Sequence, residues 1–292
     1  MKSRKKTMGN YQGWALLFTL PCILFFIIFF IGPALIGIYY SLTNYNGINK
    51  MDFVGLENYI DLFHDKDFFR TLFRTAKFVI INVPLGYATS LALAVMLTSK
   101  TIKTKTITRV LVYWPTLLST IMVGLTWRWI FGEKFGLVNY ILGVIGLAPV
   151  EWASSSFPAF TTAIIATVWA SAGVNMLIFM GAIEQVDTEL HEAASIDGVN
   201  KWQDFKYIVL PSIKPQSFMV IITSIIGAFK VFAEVKTLTG GGPGTTTTFM
   251  IQYIYKTGFE KMKVGYSSAA SMILFVILLI LSLIQMKMNK ED

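Results

Sequence analysis

Few side chains in this sequence could make or break a bond. The two histidines, His64 and His191, fall in separate polar segments, and the single cysteine, Cys22, sits inside an apolar run. A covalent catalyst needs a nucleophile within reach of a base, and a metal needs several converging ligands. The spacing supplies neither, so no catalytic residue and no metal ligand is assigned. Residues Gly240-Gly241-Gly242-Pro243-Gly244 are glycine-rich, yet they lack the lysine and the strand-to-helix setting of a phosphate loop. If ATP drives this protein, another chain must hydrolyse it.

What remains is recognition chemistry. Lys230 and Glu234, four apart, are expected on one helix face near the outer end of a span, as an interfacial ion pair or a ligand contact. Asn175 carries an amide into an apolar helix, where it needs a partner from a neighbouring helix or a polar cavity. A third group is acidic: Glu189, Glu192 and Asp197 flank the small pair Ala193 and Ala194.

The elements that must position these residues read as membrane helices. Of the 292 residues, 54% are hydrophobic and 14% charged, and the mean hydropathy is +0.59. Soluble domains carry about a quarter charged residues. The lone cysteine excludes an internal disulfide. The formal charge of +8 invites a nucleic-acid reading, but the basic residues gather at the edges of apolar runs, the signature of a membrane protein. No nucleic-acid partner is expected; the contact is with lipid.

In chain order, Lys2, Arg4, Lys5 and Lys6 precede an apolar run from Trp14 to Leu42. It is too long for a signal peptide and continues through Gly32-Pro33, so it reads as a retained span with its basic end in the cytoplasm. Residues 43–70 are a polar loop with one interfacial helix. The second span, 71–97, is interrupted by Asn82, Pro84 and Gly86. A short basic link follows with Lys100, Lys103, Lys105 and Arg109, which places it inside. The third span is 110–131, with Trp127 and Trp129 in an interfacial aromatic belt. Residues 132–158 lie outside, and their apolar piece 137–148 is too short to cross. Spans at 159–183, 216–233 and 265–286 complete an all-α polytopic bundle of six transmembrane helices, with both termini in the cytoplasm. Lys256, Lys261 and Lys263 then lie outside against the charge bias, outweighed by the two basic segments early in the chain. No internal repeat is visible, so nothing favours a secondary transporter built from repeats.

Residues 187–215 stand apart as a polar island. Asp187 suits an N-cap, with a first helix to about Asp197 and Gly198 ending it in the left-handed region. Asn200 with Gln203 approaches a capping box for a second helix, which Pro211 should stop. Trp202, Phe205, Ile208 and Val209 give that second helix one apolar stripe.

These residues carry a resemblance. Glu192-Ala193-Ala194, Asp197-Gly198 and Ile208-Val209-Leu210-Pro211 resemble the EAA loop of bacterial ABC-importer permeases, a coupling helix that docks on a cytoplasmic ATPase. Phe53 to Phe63, with its GLENY stretch, is similar to the segment after the first helix in carbohydrate-type permeases. Leu238-Thr239-Gly240-Gly241-Gly242-Pro243 resembles the LTxGGP segment of sugar permeases.

The resemblance covers nearly the whole chain and points to the maltose and multiple-sugar branch. It implies one permease domain over 1–292 in a bacterial plasma membrane, containing the coupling loop 187–215. Glu192, Ala193, Ala194, Asp197, Gly198 and Pro211 would couple to the ATPase. Asn175, Phe229, Lys230, Phe232, Gly241, Gly242 and Pro243 would belong to the substrate path, the two phenylalanines offering flat faces to a sugar ring. Partners would be a second, related permease, an ATPase dimer that binds ATP and magnesium, and an extracytoplasmic sugar-binding protein. This chain itself would hold no cofactor. A polyol or glycerol phosphate is the alternative cargo, the basic Lys230 favouring an anionic group. A self-sufficient secondary transporter is the contender from another class.

Overall fold

The computed structural model describes residues 8–49, 51–99 and 104–288. Lys2, Arg4, Lys5, Lys6, Lys100, Lys103 and Lys290, which carry much of the expected orientation, lie outside the described residues. Among those described, all regular structure is helical, with one isolated bridge between Thr43 and Phe53. The helices are α1 (Met8–Phe26), α2 (Gly32–Ser41), α3 (Glu57–His64), α4 (Lys66–Thr98), α5 (Lys105–Tyr113), α6 (Thr120–Ile130), α7 (Leu137–Val144) and α8 (Ser156–Ile183). They continue as α9 (Thr188–Ile196), α10 (Lys201–Asp204), α11 (Leu210–Ser212), α12 (Lys214–Phe229), α13 (Ala233–Thr239), α14 (Met250–Tyr255) and α15 (Val264–Met288). A π turn, Ile27–Ile31, joins α1 to α2 without a break.

Among the described residues four helices are long and apolar enough to cross a membrane, or up to six if each of two bent pairs is one span. The expected second span is one unbroken helix despite Pro84, since packing re-satisfies the backbone group that a proline frees. The expected third span is not straight. Residues 105–117 and 120–130 meet at 105°, because Leu118 is extended and Ser119 starts a new helix by accepting the Met122 amide. The expected fifth span is also shorter. It ends at Phe229, Lys230 forms its C-cap, and α13 begins anew after Phe232.

The contacts group the chain into two compact units, residues 1–65 with 254–275 and residues 66–253 with 276–292. In the first unit, Asn58 is buried and donates to the carbonyls of Ser41 and Thr43 at 2.9 and 2.8 Å. Tyr59 and Ser41 share a 2.7 Å hydroxyl contact, so the GLENY stretch is a clasp on the end of α2. The apolar window of Trp14–Ser41 is unburied on every side. Such a surface needs lipid or a partner around it.

In the second unit α4 and α8 form the central pair and α12 lies against both. Their core joins Leu91, Ala94, Leu97, Met176, Phe179 and Val220. Of the two tryptophans expected in a belt, Trp127 stacks on Phe131 at 5.4 Å and meets Trp169 edge-on at 5.5 Å, while Trp129 is exposed.

Candidate functional site

Three stripes of side chains four residues apart face one space. Phe78, Asn82 and Gly86 come from α4; Thr167, Ser171 and Asn175 from α8; Met219, Thr223 and Gly227 from α12. A four-residue step keeps side chains on one face of a helix. Together with Thr120, Ser224, Val231 and Glu234 they bound a cavity of about 450 Å³. Its polar groups are mostly amides and hydroxyls, which can meet a polyhydroxylated molecule donor for acceptor. Thr167 Oγ1 donates to Asn82 Oδ1 at 2.8 Å. Asn175 lines the cavity as expected and also makes a long 3.5 Å hydrogen bond to Ser224 Oγ.

Other residues assigned to the path stand elsewhere. Phe229 is buried and absent from the cavity wall. Lys230 is exposed at the end of α12. The expectation that Lys230 and Glu234 share a helix face fails, because the chain breaks between them; only Glu234 lines the cavity. Phe232 lies under the Lys236 ammonium, 5.4 Å from its ring centre.

Gly241, Gly242 and Pro243 form a turn, with Gly240 and Gly241 at positive φ and a cis Gly242–Pro243 peptide. Thr248 Oγ1 donates to the Gly241 carbonyl at 3.1 Å, and Gln252 Nε2 to Gly240 at 2.8 Å. Arg74 on α4 reaches over to Thr248 O and Thr245 Oγ1. None of the three lines the cavity, and these bonds pin the turn.

The 187–215 island folds as a hairpin between α8 and α12. Asp187 caps α9 by accepting the Glu189 amide at 3.0 Å. Gly198 turns the chain at φ +75 with open space around its Cα. Asn200 and Gln203 form a full capping box. His191 Nδ1 and Asp204 Oδ1, 2.7 Å apart, tie α9 to α10.

Pro211 does not stop the second helix as expected. A π turn, Phe205–Val209, widens the backbone ahead of it, and the helix runs on to Ser212. The wide turn removes the clash between the proline ring and the preceding carbonyl.

The apolar stripe splits. Val209 is buried with Ile213 in the α4–α8–α12 core, whereas Trp202 is exposed and sits tilted against Phe205, ring centres 5.8 Å apart. Ala194 faces inward, leaving Glu192, Ala193 and Ile196 exposed, Ile196 at 85%. The hairpin is therefore anchored at its base and presents an acidic and apolar surface at its tip.

Only the α8 stripe, Thr167, Ser171 and Asn175, was available in the sequence as polar residues at four-residue intervals, and only Asn175 was singled out from it. At the base of α8, Glu184 forms an ion pair with Arg109 at 2.9 Å.

Comparison with known proteins gives a consistent result. Residues 14–289 match the family described as binding-protein-dependent transport system inner membrane component. A probable starch degradation products transport system permease protein of Thermoanaerobacterium thermosulfurigenes is 34% identical, covering 95% of this chain and 94% of that protein. The multiple sugar-binding transport system permease protein of Streptococcus mutans is 31% identical, covering 98% of each. Among solved structures, a chain of a bacterial ABC transporter involved in import of the acidic polysaccharide alginate superposes with a TM-score of 0.85, at 24% identity and 98% coverage of each chain.

Proposed function

The chain belongs to the family of binding-protein-dependent transport system inner membrane components, and from that premise we propose that it is the permease subunit of an ATP-driven carbohydrate importer in a bacterial plasma membrane. The relatives named for starch degradation products and multiple sugars support the cargo class. The cavity of the second unit serves as the substrate path, and the 187–215 hairpin docks on the ATPase. One observation carries this reading. The hairpin is inserted between α8 and α12, two helices that line the cavity, and its base is buried in the core between them. A push on the hairpin tip therefore moves cavity walls. A transporter driven by an ion gradient alone would have no use for such a device.

A second related permease, an ATPase dimer holding ATP and magnesium, and an external sugar-binding protein complete the proposed assembly. Both of this chain's units act as one permease, with its termini in the cytoplasm. Alternating access then follows if the ATPase binds the hairpin more tightly in one cavity state than in the other. The anionic-cargo alternative rested on Lys230, and an exposed Lys230 away from the cavity wall gives it no support.

Two substitutions test the two halves of the reading. Ser171→Trp should fill the cavity and stop uptake while the ATPase still copurifies. Glu192→Lys should leave the cavity open yet release the ATPase, since an exposed acidic tip is reversed in sign. Normal uptake in both would overturn the reading.

A further inference from the structure

Within the cavity wall Glu234 carries the only ionisable side chain. The cations of the elements around it are engaged or placed elsewhere. Arg128 on α6 donates to the Thr237 carbonyl at 3.5 Å, Arg74 bonds to Thr245 and Thr248, Arg109 pairs with Glu184, Lys236 covers Phe232, and Lys230 is exposed. Among the described residues no basic side chain pairs with Glu234. Its position is firmly held, because α13 packs tightly on α6, where Gly124 leaves no room for a Cβ beside Thr237 and the Glu234 carbonyl.

We propose that Glu234 is a charge filter on the transported saccharide, admitting neutral or cationic cargo and holding back acidic cargo. The inference rests on the cavity being the substrate path. Amide and hydroxyl groups meet sugar hydroxyls without regard to net charge, so Glu234 in its ionised form is the element of this wall that discriminates by sign, a form that burial disfavours and a wetted cavity restores. Across such a cavity, about 6–10 Å, like charges at an effective dielectric of about 20 disfavour an anion on the order of ten- to a hundredfold. The same fold serves a transporter of an acidic polysaccharide, so the backbone arrangement does not itself set the preference. The side chains must.

The test uses small charged thiol reagents, which need no binding protein to reach the cavity. In the assembled transporter in membranes, the exposed Cys22 is replaced by serine and Ser171→Cys places a thiol on the cavity wall. Reaction rates of a cationic and an anionic methanethiosulfonate are each divided by the rate with a free thiol in solution. The cationic reagent should then lead by about tenfold or more, Glu234→Asp should keep that lead, and Glu234→Gln should bring the ratio close to one. A ratio that Glu234→Gln does not move would overturn the filter, as would failure of every reagent to react. A neutral reagent on Ser171→Cys separates the underlying reading, since it should block carbohydrate uptake. Reaction without any block would instead show that the cavity is not the path.

Discussion

At the scale of single residues, burial and backbone angle decide what each side chain can do. Gly198 has φ +75 and empty space where a Cβ would stand, so a substitution there costs backbone strain alone, about 1–2 kcal/mol for an ordinary residue. Asparagine tolerates that region better than β-branched residues. Gly198→Asn should therefore retain a measurable share of ATPase binding and uptake where Gly198→Val retains little. Equal loss in both would show that side-chain volume at the docking surface, rather than the turn, is what matters.

Phe229 calls for a different expectation. It is 6% exposed, and truncating a buried phenylalanine costs about 3–5 kcal/mol. Phe229→Ala should lower the yield of folded, detergent-stable protein while the protein that does fold keeps its apparent affinity for cargo. An altered affinity at normal yield would return Phe229 to the path.

At the scale of elements, two loops are organised by charged side chains. The Glu133 carboxylate accepts from the Ser154 hydroxyl at 3.0 Å and from the Ala153 and Ser154 amides at 2.9 and 2.7 Å. The Ser154 hydroxyl first, then those two amides, hold its pKa below the ordinary glutamate value. A lowered folded pKa means that the contact stabilises the loop fully above the ordinary value of about 4.3 and is lost as pH falls through the folded value. Amide exchange at Ala153 and Ser154 should accelerate as pH falls below the ordinary glutamate value, beyond the intrinsic pH dependence. Glu133→Gln should show the faster exchange at neutral pH and no such step.

In the 187–215 hairpin, the His191–Asp204 contact is half-buried and joins helices α9 and α10. Its removal should loosen the tip without disturbing the base, which Val209 and Ile213 hold in the core. Cross-linking of Ser195→Cys to the ATPase should become less specific in His191→Phe and in Asp204→Asn. The double variant should be no worse than either single one.

At the scale of the whole molecule, orientation and assembly are at stake. The long apolar helices leave half or more of their apolar windows unburied, and the window of Trp14–Ser41 has no buried residue, as expected for helices immersed in lipid or covered by a partner. In a Cys22→Ser background, a cysteine at Ser195 should resist an impermeant label applied outside cells, while one at Asn49 should react. Labelling of Ser195 from outside would place the hairpin away from ATP and sink the coupling assignment.

The sequence by itself determined the class of molecule and the hairpin. Apolar run length selects membrane helices whatever their neighbours, and the Asp187 cap, the Gly198 turn and the Asn200–Gln203 box are local chemistry that needs no tertiary contact. The family motifs were legible for the same reason, being short and contiguous. The cavity was a different matter. Its wall takes residues from α4, α6, α8, α12 and the start of α13, and a polar residue on a helix reads alike whether it faces a neighbour or a void. Only the packing of α4, α8 and α12 separated Asn175, which faces the void, from Phe229, which does not. Only the break after Phe229 sent Lys230 out to the surface and Glu234 inward, a parting that a four-residue spacing on an assumed continuous helix could not reveal.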